Sequence, residues 1–115
     1  MQRDESAYLL DMLLEARAAL EITSGLTHRE FEQGNLHWRA TLNAVQNIGE
    51  AASRIGAATR QAHPEIPWHR IVAFRNRVVH KYFEVDLDVL WRITQVELLE
   101  LISQIEPLVP PEESG

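Results

Sequence analysis

An all-α bundle is the fold class this sequence predicts, and three observations carry that expectation. Apolar residues recur at three- and four-residue spacing along nearly the whole chain, no segment alternates with the two-residue period of a strand, and prolines fall between the periodic segments. The 115 residues, 45% hydrophobic and 24% charged, suffice for one domain with a single core. Residues 1–109 are assigned to that helical domain and 110–115 to a disordered tail, Pro110 to Gly115.

Each element follows from its pattern. From Tyr8 to Ile22, Leu9, Leu13, Ala16 and Leu20 make one apolar face, with Asp11, Glu15 and Arg17 on others. Ser24-Gly25-Leu26-Thr27 stops this helix, and Thr27 with Glu30 has capping-box spacing, so a short helix starts there and ends near Gly34. Trp38, Leu42, Val45, Ile48, Ala52 and Ile55 form the longest stripe, a second long helix running to about Arg60 and tolerating Gly49.

His63-Pro64-Glu65-Ile66-Pro67 breaks the pattern, because proline removes a donor and restrains the residue before it. Pro67 then suits the first turn of a helix continued by Ile71, Phe74 and Val78. A further break falls near Phe83-Glu84-Val85, with Asp86 as a cap. Leu87, Leu90, Trp91, Thr94, Leu98, Leu101, Ile102 and Ile105 give a last helix of about 20 residues, stopped by Pro107. Four substantial helices with short links favour an antiparallel four-helix bundle. The last helix carries a second apolar row, Val89, Ile93 and Val96, wider than one neighbour covers, which suggests self-association.

Composition limits the function classes. The chain has no cysteine, so disulfide frameworks and thiolate metal sites are excluded, and no apolar run approaches membrane-spanning length. The start, Met1-Gln2-Arg3-Asp4-Glu5, lacks a signal-peptide layout; a soluble, cytoplasmic protein with no membrane partner is expected. A net charge of -6 opposes a polyanionic partner overall. Between Ile66 and Phe83, however, there is no acidic residue, while Arg70, Arg75, Arg77 and Lys81 stand there with His69 and His80.

His28, His37, His63 and His69 show no metal-ligand spacing with one another, and glycine-rich phosphate loops and nucleophile elbows are absent. No metal or other cofactor is expected. The chemistry concentrates in Arg75-Asn76-Arg77-Val78-Val79-His80-Lys81-Tyr82, which sets a planar phosphate-binding cation, a side chain that exchanges protons near neutral pH, and a phenol close together. At 100° per residue, Val78 and Tyr82 each fall within about 20° of Ile71, toward the packed side, and Arg75 about 40° from it. An arginine on an apolar stripe needs a partner. Either Arg75 pairs internally, for example with Glu50, or it anchors phosphate. His80 would lie about 140° from Arg75 on a continuous helix. Either the helix ends before His80, or the site combines two chains.

Pro64-Glu65-Ile66-Pro67-Trp68, Arg75-Asn76, His80, Tyr82-Phe83, Asp86-Leu87-Asp88 and Trp91, together with Ile48-Gly49-Glu50-Ala51, resemble the HepT-like branch of the HEPN superfamily. The resemblance runs from the first helix to about Ile105, and its specific part is Ile48 to Trp91. It implies a homodimer with both Arg-x4-His motifs in one cleft. It also implies a toxin of a two-gene toxin-antitoxin pair, acting on RNA as a metal-independent endoribonuclease. The partner implied is a minimal nucleotidyltransferase antitoxin that adds AMP to the motif tyrosine. Carried onto matching positions, Arg75 and His80 are expected to be catalytic, Asn76 to support them, and Tyr82 to accept AMP. Arg70, Arg77 and Lys81 lie outside the pattern and are expected only as RNA contacts. A second reading stays open: a helical partner of a nucleotidyltransferase with no nuclease activity. A third is a purely structural bundle, which requires Arg75 to be paired internally.

Overall fold

Asp4 sets where the first helix begins. In the computed structural model, which describes residues 4–110, its carboxylate accepts from the Ser6 amide and hydroxyl, so α1 spans Glu5–Thr23, three residues ahead of its apolar stripe. The tail expected over 110–115 lies, from residue 111 onward, outside the described residues. Thr27 and Glu30 close the expected capping box, with reciprocal bonds of 2.9 and 3.1 Å, and start α2, His28–Gln33. Gly34 separates it from α3, Asn35–Ser53.

The long helix stops earlier than its stripe implies. Arg54 to Gly56 breaks it, and Gly56 in an extended conformation caps a separate α4, Ala57–Ala62. Ile55 remains buried, so the apolar period passes through the break undisturbed. Arg60, on α4, returns to donate to the Ala52 and Ile55 carbonyls, placing a cation at the C-terminal end of α3 where the helix dipole favours it. Its guanidinium sits 5.9 Å from the centre of the Trp68 ring.

Pro67 lies one residue earlier than expected, at the cap of α5, Trp68–Val72. A kink at Ala73 leads into α6, Phe74–Val78, yet Ala73 N donates to His69 O and Arg77 N to Ala73 O, so the helical ladder runs through it. Asp86 caps α7, Leu87–Arg92, through Val89 N. A π-helical turn, Ile93–Glu97, joins α7 to α8, Leu98–Ile105, and a 3-10 turn holding Pro107 ends the rod. No helix of the described residues is long and apolar enough to cross a membrane.

The architecture is an all-α bundle of α1, α3, the kinked α5–α6 and the rod 87–105. α1 and α3 pack antiparallel: Glu5 accepts from Gly56 N beyond the end of α3, and Glu15 accepts from Asn47. The core they share with the other helices includes Met12, Phe31, Ile48, Phe74, Leu90 and Ile105, each fully buried. Burial of one such side chain stabilises by roughly 1.5–3 kcal/mol. The second apolar row of the rod is divided: Ile93 is buried inside the monomer, while Val96 is 53% exposed.

Two contacts locate α5–α6. Gly49 lets α3 approach the end of α5 so closely that a Cβ there would stand 3.0 Å from the Ile71 carbonyl oxygen and 3.4 Å from that of Val72. Arg77 forms a bidentate ion pair with Glu97 of the π turn, at 2.8 and 2.7 Å, and its guanidinium lies 5.7 Å from the centre of the Phe74 ring. The bond from Arg77 outweighs burial, which acts the other way, and with a smaller contribution from Arg70 holds the Glu97 carboxyl below its usual range.

Two stability experiments follow. Gly49→Ala forces backbone against backbone, and this outweighs the better helix propensity of alanine; we expect a net loss of about 1 kcal/mol, or about 4–8 °C in Tm by thermal unfolding. Glu97→Gln removes the charge opposite Arg77 and is expected to lose about 1–2 kcal/mol at neutral pH in denaturant titrations. Because the folded pKa of Glu97 lies below the unfolded one, its contribution is complete above the ordinary value of 4.5 and is lost as pH falls through the folded pKa. The gap between the parent and Glu97→Gln should therefore narrow in acid.

Candidate active site

The buried arc of α5–α6 decides which motif residues meet solvent. Starting from Ile71 it passes Val78 and Phe74, all buried, and reaches half-buried Arg77 on the same side. Arg75 stands about 40° away on the other side. It is therefore exposed, not part of the apolar face. The Glu50–Arg75 pair, one of the two readings left open, is not formed. Glu50 instead bonds Arg54, one helical turn along α3, at 3.0 Å, and Arg75 has no ion pair among the described residues. Arg75 and Asn76 line a cleft of about 340 Å³ with Gln46, Gly49, Glu50 and Val72.

Arg77 takes the opposite role to the one expected from sequence. Both its terminal nitrogens are occupied by Glu97, so it ties α6 to the rod and is not free for an RNA phosphate. Arg70 reaches the same carboxylate at 3.5 Å but stays mostly exposed, and Lys81 is exposed as well. Of the basic strip, Arg75, Arg70 and Lys81 thus present their charge outward.

The helix ends at Val78, so the 140° separation on a continuous helix does not arise. Val79 pairs with Val85 in an isolated antiparallel bridge, flanked by His80 N to Glu84 O and Asp86 N to Val78 O, both 2.7 Å. Only a tight turn, Lys81–Phe83, fits between, and Tyr82 and Phe83 both adopt φ of +60°. For side chains of this size the left-handed region costs about 1 kcal/mol each. Such strain concentrates at functional sites. Tyr82 is 97% and Phe83 81% exposed, so the expectation that Tyr82 faces the packed side is corrected: beyond Val78 there is no helix to turn it inward.

His80 sits on the outgoing limb of this hairpin, half exposed, with Nε2 3.3 Å from Asp86 Oδ2. Asp86 uses its other oxygen, Oδ1, to cap α7. The Val89 amide, aided by the His80 imidazole and opposed by burial, holds the Asp86 carboxyl below its usual range, so it is ionised at neutral pH.

One cluster had no signal in the spacing of the histidines. His28 Nε2 lies 2.9 Å from Glu32 and 3.0 Å from Asp88, with its ring stacked on Trp91 at 5.3 Å and 3°. These donors lie within 4.8 Å of one another, as a shared cation would require. They are exposed, and their contacts with one another already explain the arrangement as a clip between α2 and α7. Only the His28–Glu32 spacing of four residues was readable beforehand.

The family described as Ribonuclease HepT-like matches residues 12–108. Curated relatives agree with it. A Methanocaldococcus jannaschii chain named as a candidate RNase is 32% identical over 105 residues, covering 91% of this chain and 96% of its own length. A Thermococcus cleftensis chain named as a candidate ribonuclease HepT is 31% identical over 108 residues, covering 94% and 98%. A third, from Caldanaerobacter subterraneus, also named as a candidate RNase, is 28% identical and covers 91% and 94%. No solved structure matches the chain significantly. With a family match over most of its length and relatives of nearly equal length, the chain belongs to the HepT-like ribonucleases.

Proposed function

We propose that this family member is the toxin of a two-gene toxin-antitoxin pair and cuts RNA without a metal. Arg75 and His80 are its catalytic groups, Asn76 supports them, and Tyr82 accepts AMP from a minimal nucleotidyltransferase. The observation that carries this reading is the distribution of exposure. Arg75, Asn76, His80 and Tyr82 all meet solvent within one short segment, while Phe74 just before it and Val78 inside it are buried.

In the reaction, an imidazole takes the proton of a ribose 2′-hydroxyl, whose oxygen attacks the adjacent phosphorus. The bond from phosphorus to the 5′-oxygen breaks, and an imidazolium returns a proton to that oxygen, leaving a 2′,3′-cyclic phosphate and a free 5′-hydroxyl. A homodimer would supply the second histidine. Arg75, exposed and without an ion pair among the described residues, suits the task of holding the developing negative charge on phosphate. AMP transfer joins the Tyr82 oxygen to the α-phosphorus of ATP and releases pyrophosphate. The added phosphate, two residues from His80, would compete with RNA for Arg75.

The net charge of -6 and the capture of Arg77 by Glu97 favour one alternative, a non-catalytic helical partner of a nucleotidyltransferase. Cleavage assays separate the two. We expect single-stranded RNA to be cut in EDTA, His80→Ala to lower the rate about 10²-fold or more, and a 2′-O-methyl substrate to survive. An uncut natural substrate combined with a stable nucleotidyltransferase complex would favour the partner reading. Intact mass after co-expression with the neighbouring nucleotidyltransferase should show an AMP-sized increment that Tyr82→Phe abolishes. That substitution is expected to leave stability within about 0.5 kcal/mol, because Tyr82 packs against almost nothing.

A further inference from the structure

We infer that Asp86 is a positioning residue for His80: its carboxylate fixes the proton on Nε2 and leaves Nδ1 as the nitrogen that takes the ribose proton. The inference rests on the reading of His80 as a catalytic group. It starts from a property of the pair that does not depend on that reading. A carboxylate has no proton to give, so in the 3.3 Å contact Nε2 must be the donor. In the neutral ring the lone pair then resides on Nδ1, which makes no hydrogen bond among the described residues.

Asp86 is itself held firmly enough to direct the ring. Its amide donates to Val78 O at 2.7 Å, and Oδ1 accepts the Val89 amide at 3.1 Å, which leaves Oδ2 aimed back across the hairpin. His80 is fixed on the opposite limb by its own amide bond to Glu84 O. The two residues face each other across the chain reversal, and their geometry follows from the backbone. When Nδ1 takes the 2′-hydroxyl proton, the ring becomes an imidazolium beside an anion that stays ionised. The positive charge is created where a negative charge already waits.

The test is Asp86→Asn in the full chain. Asparagine caps a helix as well as aspartate does, so the start of α7 is retained while the charge is lost. An amide can also donate to Nε2, which would move the ring proton to Nδ1. We expect kcat on single-stranded RNA to fall about 10- to 100-fold, with KM within about 2-fold. Long-range proton–nitrogen NMR of the RNA-free protein should show the Nε2–H form of His80 in the parent and a gain of the Nδ1–H form in Asp86→Asn. Should Asp86→Asn fail to fold, Asp86→Ser keeps a capping oxygen, lacks the second acceptor, and carries the same expected fall in kcat. Parent-like kcat in a folded variant, or a parent dominated by the Nδ1–H form, would overturn the inference. His80→Ala measured alongside separates the two claims: if it is inactive and Asp86→Asn is fully active, only the positioning role falls, whereas a fully active His80→Ala removes the catalytic reading and this inference with it.

Discussion

Two backbone hydrogen bonds of 2.7 Å, His80 N to Glu84 O and Asp86 N to Val78 O, reverse the chain between the kinked helix α5–α6 and the closing rod. Much of what is distinctive in the site depends on this reversal. It ends helical geometry at Val78, so His80 no longer has to share a cylinder with Arg75. It leaves three residues for the turn, which drives Tyr82 and Phe83 into the left-handed region and out into solvent. It also delivers Asp86 to the position where a helix can start, and thereby sets the first turn of the rod.

The rod and the motif helix are tied a second time by charge. An acidic protein that handles RNA must keep its cations from being consumed by its own carboxylates. Here the division is made by helical angle. Arg77, on the Phe74 side, enters the interior and is neutralised by Glu97. Arg75, on the other flank, emerges in a cleft whose one acidic wall residue, Glu50, is already engaged by Arg54. Neighbouring arginines of the same sequence strip therefore serve opposite ends, one holding the bundle together and the other left outward.

Features that act locally were legible in the sequence. Thr27 with Glu30, Asp86 before Leu87 and Pro107 after Ile105 each satisfy or block a backbone group within a few residues, so their effect was readable without knowing the fold. The features that escaped depend on tertiary choices. Ile55 stays in register across the break at Gly56, so periodicity alone reads one long helix where there are two. Arg75 lies so near the edge of the apolar arc that its angle alone does not decide its side, and in the fold it is exposed. The π turn adds a residue to one helical turn in the segment that carries Glu97, whose partner Arg77 stands twenty positions away. The left-handed aromatic turn contradicts local preference, and only the two flanking hydrogen bonds explain it.

The shared use of Asp86 also orders events in time. Synthesis runs from the amino end, and α1, α3 and the Arg75 helix can gather before the segment 87–105 has left the ribosome. Until that segment coils, there is no helix for Asp86 to cap, and the Val89 amide that steadies its carboxylate is not yet in place. In a chain still attached to the ribosome, the hairpin bonds alone set Asp86 opposite His80.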